Sequence, residues 1–69
     1  DLTRALSLCK QAVKSAPKSA ACLDSLGWVY YKLGLYKDAL QYLQLAEQID
    51  TESVVIAEHI KSVQLKAGH

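Results

Sequence analysis

Identical residues recur in this chain at a spacing of 34 positions. The pairs are Ala5 and Ala39, Leu6 and Leu40, Ala12 and Ala46, Ser19 and Ser53, Val29 and Val63, Lys32 and Lys66, and Gly34 and Gly68. A fixed period of this length is typical of a solenoid, in which each unit is too small to bury its own apolar face and has to stack on a neighbour. One sequence unit therefore occurs about twice, and the predicted fold is a stack of such units.

Apolar residues recur at spacings of three and four in four segments, as in helices with one buried face. The predicted helices cover about residues 2–15, 20–33, 36–49 and 54–67. The capping residues expected at their starts are Asp1 or Thr3, Ser19 and Ser53. Pro17 prevents simple continuation of the first helix, and Gly34 tolerates the left-handed conformation that often follows a helix end. Gly68 repeats Gly34 and is expected to act in the same way.

Small residues stand where neighbouring helices have to approach closely. Ala39 and Ala46 are seven positions apart and share one side of the third helix, and Gly27 is expected to face them from the second helix. The buried face of the first helix is predicted to comprise Leu2, Ala5, Leu6, Cys9, Ala12 and Val13. That of the third helix is predicted to comprise Tyr36, Ala39, Leu40, Leu43, Ala46 and Ile49. Apolar residues cover more than half of the second helix, which should therefore pack on two sides.

The fold class predicted from these patterns is all-α, with antiparallel helical hairpins stacked as one short module of 69 residues. Residues 1–18 correspond to the second half of a repeat, 19–52 to one complete repeat and 53–69 to the first half of another. A domain of this size buries only about 60% of the surface that its unfolded chain exposes. We therefore expect the segment to be part of a longer array.

The charge and the distribution of apolar residues limit the classes of function that are expected of this chain. The net charge is +1, with basic and acidic residues interspersed, so no nucleic-acid partner is expected. No apolar run reaches the length needed to span a membrane. Cys9 and Cys22 lack the spacing of a metal site and are expected to be small core residues, with the question of a disulfide left open. His69 follows the last glycine and is expected to fray.

One stretch of the sequence resembles the tetratricopeptide repeat, a helix-turn-helix unit of 34 residues with a W-x2-L-G-x2-Y opening and an A-x3-F centre. The resemblance rests on Leu23, Leu26, Gly27, Tyr30, Gly34, Tyr36, Ala39, Leu43 and Ala46. The segment from Asp24 to Tyr31 also looks like repeats of long bacterial tetratricopeptide proteins. Departures from the family pattern are Leu23 for Trp, Leu43 for Phe, Thr51 for Pro, Lys61 for Gly and Gln64 for Tyr.

The resemblance implies a protein-interaction scaffold in which the second and fourth helices line a concave groove for a peptide or partner helix. The residues expected to line this groove are Asp24, Trp28, Tyr31, Lys32, Glu58, Ser62 and Lys66. Trp28 is the expected anchor, because tryptophan often dominates binding energy at interfaces. Asp24 and Glu58 would favour a partner with Lys or Arg, and Lys32 and Lys66 would meet a carboxylate.

Two other binding functions are alternatives. The terminal helices would present apolar faces, so self-association of the segment is one. An RNA-binding helical repeat is the other, disfavoured because such repeats need a basic groove. No enzyme activity and no cofactor are expected. Adjacent Glu58 and His59 point about 100° apart on a helix, and no nucleophile or third ligand accompanies them.

Overall fold

The computed structural model describes residues 1–68, which form four α-helices joined by short loops. The helices are α1 (Leu2–Ser15), α2 (Ala20–Lys32), α3 (Tyr36–Ile49) and α4 (Val54–Ala67). No strand occurs within residues 1–68, and the predicted all-α fold is confirmed. The helix bounds agree with the prediction to within one residue. His69, for which fraying was predicted, lies outside the described residues.

The predicted N-caps begin three of the four helices. The Ser19 hydroxyl accepts a hydrogen bond from the backbone N–H of Cys22 at 3.3 Å, and the Ser53 hydroxyl accepts one from Ile56 at 3.2 Å. Asp1, rather than Thr3, caps α1 with its carboxylate. These bonds satisfy backbone donors that have no partner within the helix. Helix α3 starts after Leu35 without a side-chain cap.

The two glycines that follow helices differ in conformation. Gly34 has a φ of +81°, which reverses the chain between α2 and α3 as predicted. Gly68 has a φ of −73°, and its N–H donates to the carbonyl of Gln64 at 2.9 Å. This bond continues the helical pattern, so the prediction that Gly68 repeats the role of Gly34 is wrong.

Helix α2 is the central element of the fold. It packs on α1 and α3 and also contacts α4, while α3 packs on α4. Consecutive helices therefore form overlapping hairpins around one core. The core residues are Leu23, Leu26, Tyr30, Ala39, Leu43, Ala46, Ile56, Ile60 and Val63. The prediction that α2 packs on two sides is confirmed, because α2 packs on both α1 and α3.

Helices α2 and α3 approach each other closely at Gly27. A Cβ atom added to Gly27 would lie 2.7 Å from Cγ of Leu43 and 3.1 Å from the carbonyl oxygen of Ala39. Ala39, Leu43 and Ala46 have no exposed surface. A side chain at residue 27 would therefore force the two helices apart, which confirms the predicted role of the small residues.

Helix α1 is less buried than its sequence predicts. None of its residues is fully buried, and Leu2 remains 38% exposed. The reason is that α1 contacts α2 alone among the described helices. Cys9 and Cys22 are free and only partly buried, for the same reason.

Ile49, the last residue of α3, is 48% exposed. The predictions that Leu2 and Ile49 are buried are therefore wrong.

Candidate partner-binding groove

An aromatic stack links α2 to α4 on one face of the molecule. The indole ring of Trp28 stacks on the ring of Tyr31, with centroids 4.6 Å apart, and on the imidazole of His59, with centroids 4.0 Å apart. Tyr31 lies one turn further along α2, whereas His59 belongs to α4. The ring of Trp28 is therefore held on both faces, yet the residue is only partly buried.

A hydrogen bond between side chains fixes the imidazole in this stack. Nδ1 of His59 lies 2.8 Å from Oδ1 of Asp24, and the ring N–H donates to the carboxylate. Asp24 stands one helical turn before Trp28 on α2. The side chain of Asp24 is 17% exposed and that of His59 is 22% exposed, so water covers the pair only partly. Asp24 thus orients His59, which in turn covers one face of Trp28.

The other residues predicted to line the groove differ in burial. Tyr31 is partly buried and its ring is tilted against that of Tyr36 at 5.9 Å. Lys32 and Lys66 are exposed in the last turns of α2 and α4. Glu58 is exposed as well.

Ser62 takes part in a bond within α4. Its hydroxyl donates to the backbone carbonyl of Glu58 at 3.0 Å. This arrangement is common for serine inside a helix and occupies the hydroxyl hydrogen. A partner that reaches Ser62 therefore meets an oxygen acceptor rather than a free donor.

His59 is the residue that sequence reasoning missed. The 34-residue repeat pairs Asp24 with Glu58, which suggests two carboxylates directed at the groove. The structure instead pairs Asp24 with His59, 35 positions away, and leaves Glu58 in solvent. Equivalence in the repeat places two residues at the same position of successive units, but it does not determine which side chains of α2 and α4 contact each other. The only signal in the sequence was that His59 directly follows Glu58, the residue 34 positions after Asp24.

Replacing His59 with alanine should lower the free energy of unfolding by about 1–2 kcal/mol, because it removes a part-buried hydrogen bond and one aromatic contact. It should also shift the fluorescence of Trp28, the single tryptophan of the chain. Urea unfolding and emission spectra measure the two effects. Glu58→Ala is the matched control, since Glu58 is exposed on the same helix turn. Equal stability and emission for both variants would contradict the observed stack.

Metal and membrane sites were sought in the part of the chain that the structure describes. Within residues 1–68 there is no group of three or more His, Cys, Asp or Glu side chains placed to hold a metal ion. None of the four helices combines the length and apolar character that crossing a bilayer requires.

Comparison with known proteins identifies the repeat. The family model described as "Tetratricopeptide repeat" matches residues 1–52, which is more than half of the chain. Searches of curated proteins and of solved structures returned no match. The matched range includes α1, α2 and α3 in full, together with Asp24, Trp28, Tyr31 and Lys32.

Proposed function

Because the chain belongs to the tetratricopeptide repeat family, whose members generally act as protein-interaction scaffolds, we propose that this segment binds a peptide or a partner helix along the face formed by α2 and α4. The proposed contact residues are Asp24, Trp28, Tyr31, Lys32, Glu58, Ser62 and Lys66, with His59 as the support of Trp28. Asp24 contributes chiefly through its bond to His59.

The observation that carries the proposal is the fixed but accessible ring of Trp28. An aromatic side chain held on both faces loses little conformational freedom when a partner docks on its edge. Large, rigid aromatic residues are also the commonest anchors of protein interfaces. The stack of Tyr31, Trp28 and His59 therefore supplies a preorganised apolar anchor between two helices.

The charges around the stack indicate the chemistry of the partner. Lys32 and Lys66 are exposed at the C-terminal ends of α2 and α4, 34 positions apart and hence at equivalent places in the two units. Glu58 is exposed earlier on α4. We therefore propose a peptide that places an apolar side chain on Trp28, a carboxylate towards the two lysines and a basic group towards Glu58.

The test is a selection of peptides from a random display library on the chain, followed by titration of the selected peptides. Emission from Trp28 reports binding in the groove directly, since the chain has no second tryptophan. Trp28→Ala should weaken the binding of these peptides, measured by anisotropy of a labelled peptide, by about 30-fold, as expected for an aromatic anchor.

Gln44→Ala is the control, because Gln44 is exposed on α3 and does not belong to the proposed contact residues. It should leave the affinity unchanged. Selected peptides that bind the Trp28 variant as tightly as the original chain would contradict the proposal, provided that circular dichroism shows the same helix content. The self-association alternative stays a prediction, which sedimentation over a range of concentrations can test.

A further inference from the structure

One nitrogen of the aromatic stack, Nε2 of His59, has no hydrogen-bond partner among residues 1–68. Nδ1 of the same ring is bonded to Oδ1 of Asp24, and within this range the imidazole makes no other hydrogen bond. In the buried and partly buried residues that the structure describes, every buried side-chain nitrogen and oxygen has a partner. Because His59 is partly buried, Nε2 is not enclosed by the protein but open to solvent.

Asp24 determines which nitrogen of the ring carries the hydrogen. An ionised carboxylate only accepts hydrogen bonds, so Nδ1 of His59 has to be the donor to Asp24. A neutral imidazole has one N–H group, which leaves a lone pair on the other nitrogen. The two nitrogens point in different directions, so the lone pair of Nε2 faces away from Asp24. The bond to Asp24 thus makes Nε2 a hydrogen-bond acceptor.

The neighbouring side chains do not use this acceptor. Ser62 follows His59 by nearly one turn of α4, but its hydroxyl hydrogen is donated to the backbone carbonyl of Glu58 at 3.0 Å. The ring of Trp28 lies against the face of the imidazole, with the two planes 20° apart. Stacking covers a face of the imidazole, whereas the lone pair of Nε2 lies in the plane of the ring. The acceptor is therefore at the border of the stack and available to a donor from a partner.

The charges around the stack favour a neutral donor. Two carboxylates, Asp24 and Glu58, and two ammonium groups, Lys32 and Lys66, belong to the proposed contact residues. Their charges sum to zero, and the imidazole is neutral in the tautomer that Asp24 selects. A donor without net charge therefore matches this surface better than a cation or an anion does.

On the basis of the groove proposed above, we propose that the stack binds a tryptophan side chain of the partner peptide. The indole of the peptide packs against the edge of Trp28, and its N–H donates to Nε2 of His59. Aromatic rings favour such edge-to-face contacts, and tryptophan has one polar hydrogen and no acceptor. Phenylalanine offers no donor, and the hydroxyl of tyrosine accepts as readily as it donates. Tryptophan alone of the three thus fits both the apolar ring and an acceptor of fixed tautomer.

The first test replaces a single group of the peptide. Among the peptides selected on the chain, tryptophan should be more frequent than phenylalanine at the anchor position. Exchange of this tryptophan for 3-benzothienylalanine puts sulfur in place of the N–H and keeps the shape of the side chain. At pH 8, where imidazoles are ordinarily neutral, the exchange should weaken binding about fivefold, as expected for one partly exposed hydrogen bond. Anisotropy of the two labelled peptides measures this ratio.

Asp24→Asn tests the origin of the preference. The amide of asparagine can donate to Nδ1, which moves the hydrogen of the neutral ring to Nε2. The variant should therefore bind the two peptides with nearly equal affinity. Glu47→Gln is the matched control, because it also replaces a carboxylate with an amide but lies exposed on α3. The control should keep the fivefold ratio.

Long-range proton–nitrogen correlation spectra of the free chain at pH 8 show directly which nitrogen carries the hydrogen. His59 should have the Nδ1–H tautomer, and His69→Gln separates the signals of the two histidines. An Nε2–H tautomer in the free chain would overturn the proposal. So would equal binding of the two peptides to the original chain, and neither result depends on a variant at Asp24.

The same peptides separate this proposal from that of the groove. Peptides whose binding requires Trp28 but not their own indole N–H would refute the tryptophan partner and leave the groove in place. Peptides whose binding does not require Trp28 would contradict both proposals.

Discussion

Replacing Leu43 with alanine should lower the free energy of unfolding by about 2–5 kcal/mol, the range for removing a fully buried leucine. Leu43 has no exposed surface and lies in the single core cluster, against Gly27 of α2. The core is thin, so the residues around Leu43 can close the cavity left by the substitution only if whole helices shift. A domain of this length is typically stable by about 3–10 kcal/mol, so the loss is a large fraction of the total.

Urea unfolding of the two proteins, followed by circular dichroism, measures this effect. Leu45→Ala is the matched control, because Leu45 lies two residues further along α3 and is 41% exposed. The control substitution should lower the free energy of unfolding by no more than about 1 kcal/mol. If both variants lost the same stability, Leu43 would not occupy the buried position that the structure gives it.

Replacing Gly27 with leucine should lower the free energy of unfolding by about 1–3 kcal/mol through overpacking. The nearest obstacles are Cγ of Leu43 at 2.7 Å and the backbone oxygen of Ala39 at 3.1 Å from the added Cβ. A side chain can rotate away, but a backbone carbonyl moves only with its helix. The substitution should therefore lower the melting temperature by about 4–8 °C for each kcal/mol lost.

Lys61→Leu provides the control for this second prediction. Lys61 is the counterpart of Gly27 in the following unit, is also in the middle of a helix, and is exposed. The same leucine should change the melting temperature of this variant by only a few degrees at most. Similar melting temperatures for the two variants would show that residue 27 is not closely packed.

The packing of α2 on α3 also determines the geometry of the candidate site. Trp28 directly follows Gly27, so an outward shift of α2 carries the indole away from His59 on α4. We expect the Gly27 variant to show altered Trp28 fluorescence as well as lower stability. The glycine contact thus couples the core to the surface on which Trp28 lies.

The sequence predicts the architecture well because its signals are local. Ser19 and Ser53 cap helices, Gly34 adopts the left-handed conformation and Gly27 approaches α3, all as predicted. Each of these roles depends on the residue type and its place in a helix. The incorrect predictions concern Leu2, Ile49 and Gly68, which lie at helix ends, where burial and conformation depend on tertiary packing more than on the residue type.

The candidate site is predicted less completely than the fold. The resemblance to the tetratricopeptide repeat and the helical spacing along α2 put Trp28 and Tyr31 on the proposed groove face, but they do not give the distance between α2 and α4 or the rotation of α4. The bond between Asp24 and His59 depends on both quantities. The resemblance and the helix spacing could therefore propose Asp24 as a groove residue but could not identify the imidazole of His59 that it orients.

The central claim is that close packing of α2 places Trp28 between Tyr31 and His59. Nuclear Overhauser spectroscopy of the isotope-labelled chain tests this claim most directly. The structure predicts cross-peaks between the α-protons of Gly27 and the methyl groups of Leu43, and between the indole of Trp28 and the imidazole of His59. A folded, helical spectrum that lacks both sets of cross-peaks would contradict the account.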